Sequence, residues 1–509
     1  MNLGDIPRRN AKRYPEKLGL VFEDKYYTWK EVNSRVNKLA HAMLDRGIRK
    51  GDRIGILMEN NHRYWEINWA LTKLGIITVP LSYRLKTMEL KNLINYSEPR
   101  GLFVGKESVD LANSVKDAKS IEWFVQVEDA SAGEDDYESL LLKYADTEPE
   151  SVGDDDDTFA LIFTSGTTGV PKGAMLSNLN VEANSYNEFV ADRSVKEDIN
   201  LIATPMYHVG AIFVSNTYLM LGCTNVFMRH FDVKELLETI ERERVTVCLL
   251  IPTMLNMVLN HPDFDKYDLS SLRLIFYGGA PMHQAVLKKA MEKLNCSYTQ
   301  GYGLTETLEG TFLEAEDHVI EGTETQLKRT TSAGREAVGA EVRVVDNQGK
   351  ELPPGEVGEI IIKSRSIIKG YWNMPEASAE VIKDGWFYTG DLGYFDEDRY
   401  LFVVDRKKDM IISGGVNIYP KEIEELLYKH PAVLEAAVIG VPDQVWGESI
   451  MAVIACREGF TLTEQEVIDY CKENIASYKK PKAVAFLAEL PKNPSGKILK
   501  RVLRDQYSA

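Results

Sequence analysis

The stretch "LIFTSGTTGVPKGAM", residues 161–175, passes from an apolar run into a loop made almost wholly of Gly, Ser and Thr and closed by a lysine. The apolar run reads as a buried strand. Glycines leave backbone N–H groups uncovered, and with the loop's hydroxyls and the ammonium of Lys172 they suit a polyphosphate chain. The spacing is not that of the common phosphate loop, G-x-x-x-x-G-K-[ST], because Lys172 follows Pro171 and precedes Gly173. A nucleotide is expected, held by something other than the usual NTPase arrangement.

Short aliphatic runs on either side of this loop alternate with helical patterns. DRIGILM, IITVPL, GLFVG and FALIFT form one series, and INLIATPM, TNVFMR, VTVCLLIP and LRLIFYGG form a second. Amphipathic segments such as YTWKEVNSRVNKLAHAMLDRG separate them, which predicts βαβ units in two mostly parallel sheets. From about residue 340, EVRVVDNQGKELPPGEVGEIIIKS alternates and turns as an antiparallel β unit would. After VVDRKKDMIISGG the pattern returns to strands and helices, so a compact C-terminal α+β domain is expected. A chain of 509 residues is also too long for one simple core.

The formal net charge of -17 argues against general nucleic-acid or anionic-membrane binding, since phosphate surfaces would be repelled. Residues 472–509 are the exception, with nine Lys and Arg against three Asp and Glu. That tail is either a solvated basic face or a local anion patch. The five cysteines form no C-x-x-C pair, which fits free thiols in a reducing compartment and neither a disulfide framework nor a zinc site. The N-terminus lacks an apolar signal core, and no stretch approaches the roughly 20 apolar residues that span a bilayer. A cytoplasmic protein is expected.

Further along, Gln300-Gly301-Tyr302-Gly303-Leu304-Thr305-Glu306 packs backbone freedom, an aromatic face, a hydroxyl and a carboxylate into seven residues. An adenine ring can stack on Tyr302, Thr305 can donate to a phosphate, and Glu306 can hold Mg²⁺ together with phosphate oxygens. Taken alone, a tyrosine between glycines also fits a packed turn. Trp386 to Asp391 places one carboxylate after a tight turn, where it can accept from both hydroxyls of a ribose.

Together with the loop, these patches resemble the acyl-adenylate-forming superfamily of acyl-CoA synthetases, firefly-type luciferases and peptide-synthetase adenylation domains. TSGTTGVPKG, PMYHVG, YGGAP, GYGLTE, YTGD, DRKKDMIISGGVNIYPKEIE and PKNPSGKILKR occur in that family's order, nearly end to end. The resemblance implies an α/β fold. Its large N-terminal domain, residues 1–405, would combine two mostly parallel α/β subdomains with a β-barrel-like subdomain and hold the ATP and acyl sites. A small mobile α+β domain, residues 406–509, would follow.

By position, the resemblance implies that Thr164, Ser165, Gly166, Thr167, Thr168, Gly169 and Lys172 cradle the β and γ phosphates of ATP. Tyr302, with Gln300, Gly301 and Gly303, would take adenine beside the Gly278-Gly279-Ala280-Pro281 turn. Thr305 would bind the α-phosphate and Glu306 would ligate magnesium. Asp391 would hold the ribose with Arg406, which otherwise reads as a salt-bridge partner. Lys497, in Pro494-Ser495-Gly496-Lys497, would reach the substrate carboxylate and the α-phosphate. Lys408 matches the hinge about which the small domain swings between two half-reactions. In the second pose Ser413, Gly414 and Gly415 would line the channel for the pantetheine arm of coenzyme A.

Relatives that take α-amino acids keep an acidic side chain shortly after the PMYHVG position. Here no Asp or Glu lies between Pro205 and Arg229, and an ammonium buried there would be unpaired. A fatty, alicyclic or aromatic acid is expected instead, with Val209, Ala211, Ile212, Gly278, Gly301 and Gly303 as pocket walls. His208 stands at the mouth, as a catalytic base or as a structural histidine. The expected reaction is ATP-dependent acid–CoA ligation through an acyl-AMP, by a monomer or homodimer. A ligase serving a separate carrier protein and a catalytically silent acyl-adenylate sensor are the alternatives.

Overall fold

A computed structural model describes residues 2–129, 136–164, 171–280, 282, 284–492 and 498–507. They group into two compact units, one of residues 1–342 with 362–387 and one of residues 343–361 with 388–509.

The first unit contains both expected α/β sheets, and the two aliphatic series separate cleanly between them. Arg53–Leu57, Ile77–Leu81, Gly101–Val104 and Thr158–Thr164 belong to a six-stranded sheet, parallel except where Thr158–Thr164 meets Lys172–Ser177. Ile199–Ile202, Thr224–Phe227, Val247–Leu249 and Leu274–Gly278 form the parallel centre of a nine-stranded sheet. Ser297–Leu304 continues it in parallel, and Leu308–Leu313 then turns back antiparallel. At the other side the early strand Leu18–Phe22 pairs parallel with Thr224–Phe227. Strands buried on both faces read as continuous apolar runs, which is why these segments lack alternation.

The amphipathic segment after residue 26 is the helix Trp29–Asp45, started by a capping box in which Thr28 and Glu31 satisfy each other's backbone N–H groups. Its Trp29 packs against Trp69, and Trp69 against Trp65, with ring centroids 5.9 and 5.3 Å apart. These three indoles are fully buried and anchor the main core of the unit.

Antiparallel pairing follows residue 340, as the turn pattern predicted. Ile382–Lys383 pairs with Phe387 and Trp386, and within the second unit Asp391 lies opposite Arg406 on Leu401–Arg406. The second unit also holds a sheet in the order Val416–Ile418, Ile411–Ser413, Gly447–Cys456, Val433–Asp443, with Ala483–Phe486 parallel on Gly447–Cys456. The helices Pro420–Tyr428 and Glu464–Asn474 supply Ile423, Leu427, Val467 and Cys471 to its core. This is the expected C-terminal α+β architecture. All five cysteines are free thiols. Among the described residues no helix is long and apolar enough to cross a membrane.

Candidate active site

The opening loop is flanked by a hairpin. Thr164 ends one strand and Lys172 begins the next, paired in register, and the Thr164 hydroxyl donates to the Lys172 carbonyl at 3.5 Å. Ser165, Gly166, Thr167, Thr168 and Gly169 lie outside the described residues, as do Pro281 and Lys497. Among the described residues Lys172 forms no ion pair; its ammonium sits 4.8 Å from the centre of the Tyr371 ring. The Tyr371 hydroxyl in turn donates to Glu306 Oε1 at 2.9 Å. Burial, and next the Glu306 carboxylate, push that hydroxyl's pKa well up, so it keeps its proton and donates. Two candidate residues 134 positions apart, the phosphate lysine and the metal carboxylate, thus meet across one ring that sequence reasoning missed. Its signal was the Gly370-Tyr371-Trp372 triplet, two aromatics after a glycine.

The Gln300–Glu306 segment is the end of a strand and the turn after it. Gln300 and Gly301 pair in register with Tyr277 and Gly278, which brings the YGGA turn, with Gly279 and Ala280, beside Tyr302 in sequence order. The ladder shifts register between Tyr302 and Gly303. A Cβ at Gly303 would lie 1.6 Å from the Leu308 carbonyl, so only glycine lets the chain double back here. Thr305 and Glu306 occupy the resulting turn, half-buried. The Glu306 carbonyl accepts from Ile368 N–H at 2.9 Å, which ties the turn to the segment bearing Tyr371. Among the described residues no group of three His, Cys, Asp or Glu side chains stands together as a metal cage. A single half-buried carboxylate fits Mg²⁺ that arrives with phosphate oxygens as its other ligands.

Behind this segment lies a second feature that the sequence reading missed. Glu309, opposite Gly303, is buried with Glu188 and Asp192. Burial raises all three carboxyls, Asp192 to about 7 and Glu309 to about 8, and holds Glu188 well above the ordinary carboxylate range. Each folded carboxyl binds its proton more tightly than the unfolded chain does, so stability falls as pH rises from about 4.5 toward 8. Glu309→Gln removes one such group. Its melting temperature should exceed the wild type's by a margin that widens between pH 5 and pH 8.5 in thermal denaturation, and a margin independent of pH would contradict this.

His208 caps the helix Val209–Leu221 with its backbone. The preceding loop is clamped by Asn60, whose amide donates to the Thr204 carbonyl at 2.9 Å and accepts from Met206 N–H at 2.8 Å. Burial, aided by Arg84, pulls the His208 imidazole down to about 4, so the ring is neutral in ordinary buffers. It packs against Tyr207 at 4.4 Å between centroids, and its buried Nε2 has no hydrogen-bond partner among the described residues. Val209 is half-buried, whereas Ala211 and Ile212, at 1% and 0% exposure, pack inside the main core.

In the second unit Asp391 is nearly buried, and Arg406 Nε lies 2.6 Å from its Oδ1. Thr389 fixes the approach, accepting from Asp391 N–H at 3.0 Å and donating to the Ile360 carbonyl at 2.7 Å. Lys408 is exposed at the surface, and partial desolvation lowers its pKa. Its neighbour Asp409 pairs with Arg504 at 2.6 Å. Ser413 ends a strand, and Gly414 and Gly415, with φ of +58° and +80°, make the two-residue turn into Val416–Ile418. A Cβ at Gly414 would meet the Trp446 ring at 2.5 Å. That indole is 50% exposed and carries the Lys482 ammonium 5.0 Å from its ring centre.

The AMP-binding enzyme family model matches residues 7–372, and that of the AMP-binding enzyme C-terminal domain matches residues 422–497. The chain belongs to the AMP-binding enzyme family. Within it, the chain is 36% identical to a feruloyl-CoA synthase of Amycolatopsis over 507 residues, 99% of either protein. It is also 36% identical to the long-chain-fatty-acid–CoA ligase FadD13 of Mycobacterium tuberculosis over 518 residues, 100% of this chain and 99% of that one. ATP-bound MatB from Rhodopseudomonas palustris superposes with a TM-score of 0.89 at 30% identity, covering 100% of this chain and 99% of MatB. The motifs of this AMP-binding enzyme therefore sit on the family's own architecture.

Proposed function

We propose that this AMP-binding enzyme is an acid–CoA ligase that works through an acyl-adenylate. A carboxylate oxygen attacks the α-phosphorus of ATP, and pyrophosphate leaves with the electrons of the broken P–O bond. The thiol of coenzyme A, losing its proton, then attacks the acyl carbon and AMP departs. Family membership supports the reaction, and the meeting of Lys172 and Glu306 across Tyr371 is the observation that carries the site assignment.

We assign the β and γ phosphates to Thr164, Ser165, Gly166, Thr167, Thr168, Gly169 and Lys172. Adenine lies on Tyr302 between Gln300, Gly301, Gly303 and the Gly279, Ala280, Pro281 turn. Thr305 donates to the α-phosphate and Glu306 faces the metal. When bound, Mg²⁺ neutralises charge on the phosphate oxygens. Asp391 accepts from the ribose hydroxyls beside its ion pair with Arg406. Lys497 neutralises charge that grows as the carboxylate meets an already anionic phosphorus. The acyl end follows His208, Val209, Gly278, Gly301 and Gly303, with Ala211 and Ile212 packed behind, and His208 contributes a neutral ring rather than a charge. Lys408 is the hinge, and Ser413, Gly414 and Gly415 pass the pantetheine arm. The functional boundary falls between residues 405 and 406. A carboxylic acid without an α-ammonium, fatty or ring-bearing, is the substrate class. Free thiols throughout fit the cytoplasm.

Pyrophosphate release from ATP and Mg²⁺ with a panel of carboxylic acids, with and without coenzyme A, tests this reading. Acid-dependent release, with acyl-CoA formed only when coenzyme A is present, is expected; ATP binding without turnover on any acid would overturn it. Glu306→Gln should raise the Mg²⁺ needed for half-maximal release on the order of ten-fold. An unchanged Mg²⁺ titration would remove Glu306 from the metal site.

A further inference from the structure

Lys172 and Glu306 carry opposite charges in a half-buried part of the first unit, where attraction is stronger than in water. Closed on each other they would consume both the ammonium meant for phosphate and the carboxylate meant for metal. Tyr371 stands between them, its face toward the Lys172 ammonium and its hydroxyl on Glu306. The ring is rigidly hung. Tyr371 bridges antiparallel to Ala174 on the strand that Lys172 begins, Met175 N–H donates to the Gly370 carbonyl at 2.9 Å, and Trp372 N–H donates to the Gly173 carbonyl at 2.8 Å. Tyr371 N–H also donates to the Ser378 hydroxyl at 2.8 Å. The same short segment therefore grips the phosphate-loop strand through Gly370 and Trp372, and the metal turn through Ile368.

The geometry points to Tyr371 as a positioning residue that keeps the phosphate lysine and the metal carboxylate apart and separately satisfied until MgATP takes both. This rests on the ligase reading for the ligand's identity. A cation over a ring makes a weaker contact than a charge-assisted hydrogen bond to phosphate, so incoming phosphate can recruit the ammonium. The hydroxyl donates to Oε1 and orients the carboxylate, as partners behind a metal ligand do.

Calorimetric titration of the full chain with ATP, in the presence and absence of Mg²⁺, tests this without any turnover. Tyr371→Phe keeps the ring and loses the hydroxyl. It should bind metal-free ATP within about two-fold of wild type and lose about ten-fold of the affinity that Mg²⁺ adds. Tyr371→Leu removes the spacer, and should also weaken metal-free ATP binding by about ten-fold. In a Glu306→Ala background, Tyr371→Phe should change nothing further. Full Mg²⁺ enhancement in Tyr371→Phe, or an equal loss with and without Glu306, would overturn the proposal. Should Tyr371→Leu lose its cooperative melt, Tyr371→Phe and the double variant still decide. Normal Tyr371 results with no acid-dependent pyrophosphate release would sink the ligase reading alone, and release by a Tyr371→Phe protein of wild-type Mg²⁺ dependence would sink the spacer alone.

Discussion

Lys497→Ala is expected to slow acyl-adenylate formation on the order of 10²- to 10³-fold while leaving preformed acyl-AMP able to react with coenzyme A. The reason lies in the charges of the first step. An anionic carboxylate must approach a phosphorus already surrounded by negative oxygens, inside a molecule whose formal net charge is -17. A fixed cation lowers that barrier without reorganising, and Lys497 is the one assigned to both the carboxylate and the α-phosphate. The second step attacks a carbonyl carbon with a thiol and needs no such neutralisation at phosphorus. Single-turnover kinetics of the two halves, ATP plus acid and synthetic acyl-AMP plus coenzyme A, separate the effects. Equal loss in both would remove the division of labour.

Asp391→Ala is expected to raise the KM for ATP on the order of 10²-fold. The carboxylate is nearly buried and its Oδ1 lies 2.6 Å from Arg406 Nε. On the proposed assignment, truncation removes the acceptor for two ribose hydroxyls, and it leaves a guanidinium without its partner, a larger penalty than losing one exposed hydrogen bond. Asp391→Asn keeps the shape and should fall between wild type and alanine in steady-state titrations with ATP. If neither substitution moves the KM for ATP, the ribose is held elsewhere.

The local part of this fold was legible because short aliphatic runs between turn residues have few alternatives. All eight runs in the two series are strands, and they divide between the two sheets as they divide along the chain. Partner choice was less legible. Leu18–Phe22 joins the sheet of the second series beside Thr224–Phe227, some 200 residues later, and nothing in its own alternation encodes that neighbour. The same limit applied to the site. Lys172, Tyr302, Thr305, Glu306 and Asp391 stand out as candidates by residue type next to glycine turns, where chemistry and backbone freedom coincide. Tyr371 did not, because its role depends on an antiparallel bridge to Ala174 that only the folded chain creates. Asn60, clamping the loop before His208 from 144 positions away, and Glu309, an acid sealed behind Gly303, are hidden for the same reason. A polar residue that acts by what it touches cannot be told from a surface residue until its neighbours are known.

An oxygen-labelling experiment tests the acyl-adenylate most directly. With an acid carrying ¹⁸O in both carboxylate positions, turnover with ATP and coenzyme A should place one labelled oxygen in AMP, none in pyrophosphate, and leave the other in the thioester carbonyl. AMP free of label, or label in pyrophosphate, would contradict attack of the carboxylate on the α-phosphorus.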